Sequence, residues 1–473
     1  MSDLSSLRLS PEQMRVLGHQ VIEMLVEHFE NLGQRPAART ATRATLEARL
    51  RTPLPEEGVD ADVVLRQLRE DVFRHVMHVD HPRFFAFVPS PSNFVSVMAD
   101  ALAAGFNVFA GTWLEASGPA ELELVTLDWL RHLCGLPSTA GGLFVSGGSV
   151  ANLTALAVAR HVRLADRPDA AVIYGSDQTH SSIKRALRVL GFQPAQFRSL
   201  LSDDAFRLPL TQLRHAVEAD RAAGKVPFCV IANAGTTNTG AVDPLPDLAQ
   251  LCREEGLWLH ADGAYGAAAV LCEDGRSQLR GLEDVDSLSL DPHKWLFQPY
   301  EIGCVLVREG AQLRDTFRTS AEYLQDLAPA TDEVNFSEYG IQLTRAFRAL
   351  KLWMSLMVFG LGAFRKAVAK GFTLARLAES HLREMPNWEV VTPAQMAIVT
   401  FRYVPPGGSD REVDAMNRRL VEEMIAKGFA VVSSTVLRGK TVLRMCTINP
   451  RTTEADIEET VQGLRRLAAG GET

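Results

Sequence analysis

The residues best placed to do chemistry lie in D-S-L-S-L-D-P-H-K-W, Asp286–Trp295. The alternating run Asp286–Leu290 reads as the end of a buried strand, and Asp291-Pro292 stops it. Lys294 follows, between His293 and Trp295. Most lysines lie on solvated helix faces, and an exposed loop lysine is the alternative here. A lysine at a sheet edge with little solvent around it can instead form a Schiff base with a carbonyl compound. Three more stretches share this setting of a strand running into a turn: F-V-S-G-G-S-V-A-N (Phe144–Asn152), S-D-Q-T-H-S-S (Ser176–Ser182) and H-A-D-G-A-Y-G (His260–Gly266).

Gly147-Gly148-Ser149 precedes a strong helical pattern over Val150–Ala165. Glycines let backbone amides approach an anion, and a helix N-terminus favours negative charge, so a phosphate suits this turn. A plain glycine turn with Ser149 as a helix cap is the other reading. Asp262 ends the apolar run Leu257–Ala261, where a carboxylate is costly unless it meets a cation or strong donors. A protonated ring nitrogen would serve, as would an arginine or a cap on the next turn. His180, among Thr179, Ser181 and Ser182, can stack on an aromatic ligand or be a satisfied structural histidine. Together, a phosphate cradle, a carboxylate for a ring nitrogen and a Schiff-base lysine specify pyridoxal 5'-phosphate. No metal is required, because His260, Asp262 and His293 lack the i, i+4 spacing of a zinc helix. The spaced G-x-G-x-x-G of a nicotinamide dinucleotide site is also absent.

The elements that must position these residues follow from hydrophobic pattern. Ala171–Tyr174, Phe228–Asn233, Leu257–Ala261 and Gly303–Val307 are short apolar runs, with helical segments such as Asp243–Glu255 between several of them. Such runs predict an α/β unit with a mainly parallel sheet covered on both faces, which binds ligands beyond the carboxyl ends of its strands. Towards the C-terminus the pattern predicts strands at Ala397–Tyr403, Ala430–Ser433 and Thr441–Thr447. Helices at Arg411–Lys427 and Glu454–Ala468 complete a smaller α+β unit. Gly340–Ala369 reads as one or two helices bridging the two units. At the N-terminus, Ser10-Pro11-Glu12-Gln13 signals a capped helix with an apolar stripe of Met14, Leu17, Val21 and Leu25. That stripe needs a partner, either another subunit or its own chain. The divisions expected are 1–83 (N-terminal helical segment), 84–350 (large unit) and 351–473 (small unit).

Composition narrows the function. The chain has 473 residues, 46% of them hydrophobic, and a net charge of −8. That acidic balance argues against a nucleic-acid partner. The six cysteines form no CxxC pair and sit mostly in apolar runs, as buried reduced thiols do. The N-terminus has no signal-peptide pattern, and no apolar run is expected to reach the length of a membrane span. A cytoplasmic protein without a membrane partner is expected.

The motif set S-G-G-S (Ser146–Ser149), S-D-Q-T-H-S-S, G-T-T (Gly235–Thr237), H-A-D-G-A-Y and D-P-H-K-W resembles the group II pyridoxal-phosphate-dependent amino acid decarboxylases, in particular the aromatic-L-amino-acid decarboxylase branch. The resemblance runs from about residue 10 to 465. It implies an aminotransferase-like (fold type I) large domain and a homodimer with active sites at the interface, which would give the N-terminal helix its partner. It implies that Lys294 holds the cofactor covalently, Asp262 pairs with its ring nitrogen, Ala264 lies against one ring face and His180 stacks on the other. Gly148, Ser149, His293 and Asp291 match positions near the phosphate, and Thr237 one near Asp262. Relatives often have Asn where Asp291 stands, and an anion there suits a phosphate poorly, so a backbone contact or cap is expected of it. Val150 departs from the Glu usual in relatives.

For the substrate, the resemblance points to H-P-R-F-F-A-F-V-P-S-P-S (His81–Ser92), with Phe87, Pro89 and Ser90 at pocket positions. Phe109, Gly111 and Trp113 match further pocket positions, Trp113 in a segment reaching the neighbouring subunit. Gly111, where an aromatic is common, would enlarge the pocket. F-R-T-S-A-E-Y-L (Phe317–Leu324) matches a catalytic loop, with Tyr323 as the general acid. The implied reaction releases CO2 and an amine from an aromatic L-amino acid, with tryptophan, phenylalanine and tyrosine preferred. An aminotransferase using Arg444 for the α-carboxylate, an aldehyde synthase and a decarboxylase of glutamate or another non-aromatic amino acid are the competing readings. Aldehyde-forming relatives typically carry Phe at the position of Tyr323.

Overall fold

The structure, a computed structural model, describes residues 7–319 and 332–470. Strands β1 (Gly141–Val145), β2 (Ala171–Ser176), β3 (Phe197–Leu200), β4 (Val226–Asn233), β5 (Trp258–Asp262), β6 (Ser287–Leu290) and β7 (Gly303–Val307) build a seven-stranded sheet in the order β1-β7-β6-β5-β4-β2-β3. From β6 through β5, β4 and β2 to β3 every pairing is parallel. Strand β7 is the exception, antiparallel to both β6 and β1. A parallel return needs a crossover, usually a helix. The Asp291–Ile302 connection contains none, so the chain turns straight back and the turn carries Lys294.

The small unit is a four-stranded antiparallel sheet, with order β10-β11-β9-β8, of β8 (Trp388–Gln395), β9 (Ile398–Tyr403), β10 (Ser433–Leu437) and β11 (Lys440–Cys446). Helices Asp410–Ala426 and Glu454–Ala468 pack with it. The strand expected at Ala430–Ser433 is displaced: β10 begins at Ser433. The reason is a competing partner. Val431 exchanges backbone hydrogen bonds with Arg83 and Phe85 (2.9 and 2.7 Å) before the chain reaches the sheet. Phe85 is fully buried in the small unit's core, so the stretch at the expected 83/84 division packs with the C-terminal unit.

One helix, Ala349–Glu384, links the two cores, with a non-helical Gly360 (φ 73°) inside it. Leu352, Phe364, Val368 and Phe372 face the large core, and Leu374, Ala378 and Leu382 the small one. This corrects two expectations. The helix begins after the predicted Gly340 and continues well past Ala369. It is also long and apolar enough to cross a membrane by length and composition, and only 22% of its most apolar window is buried within the chain. Met357, Val358 and Phe359 are among its exposed residues.

The N-terminal helix Pro11–Asn31 has the expected capping box between Ser10 and Gln13. None of its residues is buried, and Met14, Val16, Val21 and Val26 are exposed. All six cysteines are buried and unpaired.

Candidate active site

The four motif stretches meet at one edge of the large sheet, around a cavity of about 330 Å³. Gly148, Ser149, His180, Thr237, Asp262, Ala264, Asp291, His293 and Lys294 all line it.

Strand periodicity builds the floor. His260 and Asp262 lie two apart on β5 and so share a face. In the parallel register, His260 stands beside Ser287 and Asp262 beside Ser289. Both hydroxyls are used: Ser287 Oγ is 2.9 Å from His260 Nδ1, and Ser289 donates to Asp262 Oδ1 at 3.3 Å. Asp262 also accepts from Asn152 Nδ2 at 3.1 Å and from the Ala264 N–H at 3.2 Å. Its partners are an amide, a hydroxyl and a turn N–H, with no arginine among them. A buried carboxylate served only by donors is a ready acceptor for one more proton-bearing group.

On the opposite side, helix Gly148–Leu164 starts at Gly147 with no side-chain cap, so Ser149 does not cap it. Its first turn opens onto the cavity and offers backbone N–H groups to an anion. Space explains Gly148: a Cβ there would come within 2.8 Å of Asp291 Oδ2 and 3.1 Å of the Ala264 Cβ.

Lys294 Nζ lies 2.9 Å from Asp291 Oδ2. Burial lowers the pKa of Lys294, but Asp291 outweighs that and holds it above the ordinary lysine value. The backbone contact expected of Asp291 is present, its N–H donating to Ala264 O at 2.8 Å. Its carboxylate, though, is the buried counter-ion of Lys294, 3.7 Å from His293 Nε2. The conflict of its charge with a phosphate is thereby reduced. His293 Nδ1 bonds Ile302 O across the turn at 2.7 Å, and burial lowers the pKa of its imidazole. Trp295 packs behind the turn as expected, stacked on Tyr265 and Phe372 at 6.0 and 5.3 Å.

His180 is both structural and at the cavity wall. It caps helix Ser181–Val189 by accepting the Ser182 N–H on Nδ1, and its side chain borders the cavity.

The residues fit pyridoxal 5'-phosphate. The uncapped helix start and the Gly148 approach suit a phosphate, the Asp262 donor set suits a ring N–H, and Lys294 is an enclosed amine.

The expected substrate residues are placed differently. Among the described residues, the cavity wall includes none of Phe87, Pro89, Ser90, Phe109, Gly111 and Trp113. Phe87 is exposed at a positive φ of 49°. Pro89 is buried beside Ser90, which donates to His293 O and so pins the lysine turn from below. The Trp113 N–H donates to Asn335 Oδ1 at 2.8 Å. Gly111 does not enlarge a pocket, because the Phe109 ring occupies the room: a Cβ at 111 would overlap it at 2.4 Å. Arg444 is buried, with Nη1 on Phe87 O and Nε 3.4 Å from Asn238 O, so much of its fork already serves backbone carbonyls. Tyr323 lies outside the described residues.

Asn152, Ser182, Asn233 and Tyr265 also line the cavity and were not singled out from sequence. Asn152 carried a signal: it is a lone amide in the mostly apolar run V-A-N-L-T-A-L-A-V, one turn after the glycines.

The family described as pyridoxal-dependent decarboxylase conserved domain matches residues 44–404. An aromatic-L-amino-acid decarboxylase of Bacillus atrophaeus is 49% identical over 98% of this chain and 97% of its own length. A phenylacetaldehyde synthase of Arabidopsis thaliana is 31% identical over 95% of each chain. Among solved structures, Oryza sativa TDC with PLP and tryptamine superposes with a TM-score of 0.92 at 29% identity, covering 98% of this chain and 99% of the other.

Proposed function

Because this chain belongs to the pyridoxal-dependent decarboxylases, we propose that its cavity takes an aromatic L-amino acid and releases the amine and CO2. The observation that carries the reading is the convergence of Lys294, Asp262 and the uncapped Gly147–Ser149 helix start on one cavity. Bound pyridoxal 5'-phosphate supplies an aldehyde that condenses with amines and a ring that takes up the electron pair freed when the carboxylate leaves.

The chain's own groups do the rest. Lys294 would anchor the cofactor through Nζ, with the Asp291 carboxylate as the counter-ion of that nitrogen. Asp262 holds a proton on the ring nitrogen, which makes the ring an electron acceptor. His180 and Ala264 would flank the cofactor ring, Gly148 and Ser149 would offer N–H groups to its phosphate, and Thr237 lines the same cavity as Asp262. Together these orient the scissile bond and exclude water. Tyr323 is proposed as the acid that returns a proton to Cα. Its hydroxyl, where aldehyde-forming relatives typically carry Phe, favours amine over aldehyde as product.

A homodimer is proposed as the working unit. The uncovered stripe on helix Pro11–Asn31 and the exposed Met357, Val358 and Phe359 support a second copy, rather than lipid, as the cover. The six unpaired buried thiols suit a cytoplasmic location.

The deciding experiment offers tryptophan, phenylalanine, tyrosine and glutamate to the holoenzyme and scores CO2 and the matching amine. Amines from the aromatic set only are expected. Glutamate as the sole substrate overturns the aromatic reading. Aldehyde and hydrogen peroxide in place of amine move the chain to aldehyde synthesis. Lys294→Ala is expected to lose both the visible cofactor band and CO2 release.

A further inference from the structure

Trp258, Ser287 and His260 lie beneath the cavity floor, all buried, with no part in the roles above. Their hydrogen bonds admit one assignment of protons. Asn152 Nδ2 is engaged by Asp262 Oδ2 at 3.1 Å and Ser182 Oγ at 2.9 Å. A carboxylate only accepts, so the amide nitrogen must face it and the amide oxygen must face away. That oxygen lies 2.9 Å from His260 Nε2, which must therefore carry the proton. Nδ1 is left as an acceptor, and the Ser287 hydroxyl donates to it at 2.9 Å. Ser287 Oγ in turn accepts from the Trp258 indole N–H, a group that can only donate, at 2.8 Å. The row Trp258–Ser287–His260–Asn152–Asp262 has a direction, set at one end by an indole and at the other by a carboxylate. Burial lowers His260 to about 4 against the pull of Asp262, so at neutral pH the ring holds the single proton this row requires.

We propose that His260 is a positioning residue: by fixing the Asn152 amide it fixes how the Asp262 carboxylate presents its acceptor to the ring nitrogen of the bound cofactor. Without the Nε2 proton, the Asn152 oxygen loses its donor, and the amide is held only through its nitrogen by Asp262 and Ser182, so its position against the carboxylate slackens. The inference rests on the pairing of Asp262 with that nitrogen.

The test uses holoenzyme loaded with pyridoxal 5'-phosphate labelled with 15N in the ring, whose chemical shift separates protonated from bare nitrogen. In His260→Leu the shift is expected to move toward the bare position. There kcat should fall about tenfold, as for an unsatisfied buried group, while KM for the amino acid stays within about twofold, as for an interaction made only in the transition state. His260→Gln, whose amide nitrogen reaches the place of Nε2, is expected to restore both. A purely packing role would not follow that rescue. Parental shift and kcat in His260→Leu overturn the inference. Should that variant fail to fold, Ser287→Ala decides: a smaller change of the same sign supports the inference, and no change overturns it. Asp262→Asn separates the premise. If it keeps the parental shift and rate, the ring-nitrogen pairing falls and takes the inference with it. If it loses both while His260→Leu loses neither, only the inference falls.

Discussion

Two cavities of this chain ask for different occupants. The one around Lys294 holds about 330 Å³, and the charges in it have partners within the chain: Asp262 with its three donors and Asp291 with Lys294. The other, of about 740 Å³, lies under helix Pro11–Asn31 and is lined by Val21, Met24, Leu25, Leu65, Leu68 and Phe73 among others. Polar groups buried in the first are costly if unmatched, and the chain partners most of them itself, with the Tyr265 hydroxyl and Asp291 Oδ1 left without a partner. The second presents mostly apolar surface, bordered by charged residues such as Glu27, Arg35 and Arg69. Such a wall gains when more apolar surface arrives, which the proposed second copy would supply. The catalytic floor is built within one chain, and the N-terminal face is where the proposed second copy would add surface.

The largest expected effect breaks the first cavity. Asp262→Ala should lower kcat for CO2 release about a hundredfold or more, as for loss of a preorganised charge at a reacting centre. An unchanged kcat would show that the floor is packing rather than machinery.

Acid should strain both regions. His260 lies beneath the floor of the first cavity, and His81 bonds the backbone oxygen of Arg35, a residue in the wall of the second, at 3.1 Å. Burial lowers both to about 4. The unfolded chain takes up these protons near pH 6.5 and the folded chain only near 4. Stability is therefore full above about 6.5 and falls as pH drops toward 4, by up to about 3 kcal/mol per histidine. Urea titrations at pH 7 and 4.5 measure it. His81→Asn and His260→Gln should each flatten the slope, and an unaltered slope in both would assign the acid sensitivity elsewhere.

Val21→Glu should act on the second cavity. Self-association is expected to weaken by about fivefold or more, a typical cost at a buried interface position. Sedimentation velocity across a dilution series reads it, and an unshifted dimer would mean the cavity closes within its own chain.

The smallest effect concerns balance inside the first cavity. Asp291 raises the pKa of Lys294, and only the neutral amine condenses with an aldehyde. Asp291→Asn should therefore move the pH midpoint for cofactor uptake by apoenzyme down, because the neighbouring negative charge is lost. A midpoint that stays put would uncouple the pair.

The floor was the more legible region. Its residues stand at the ends of continuous apolar runs, and a parallel sheet brings such ends together, so the four stretches implied one site. What stayed hidden depends on partners distant in sequence. Ser287 and Ser289 read as ordinary strand serines until the β5–β6 register sets them beside His260 and Asp262. Ala430–Val432 has a strand's composition but spends its hydrogen bonds on Arg83 and Phe85. Strand β7 looked like its neighbours because an apolar run does not state its direction. On the substrate side, Phe87, Gly111 and Trp113 were assigned by position, and within one chain none of them lines the lysine's cavity.

Gly111 carries a consequence for how this protein can change. The room its missing side chain leaves is filled by the Phe109 ring and bounded by Leu343 O. A larger residue cannot arrive at 111 while 109 stays phenylalanine, and a smaller residue at 109 alone leaves a void. Position 111 is thus closed twice over: even with 109 reduced, a Cβ there would meet Leu343 O at 2.8 Å, so the backbone itself would have to give way.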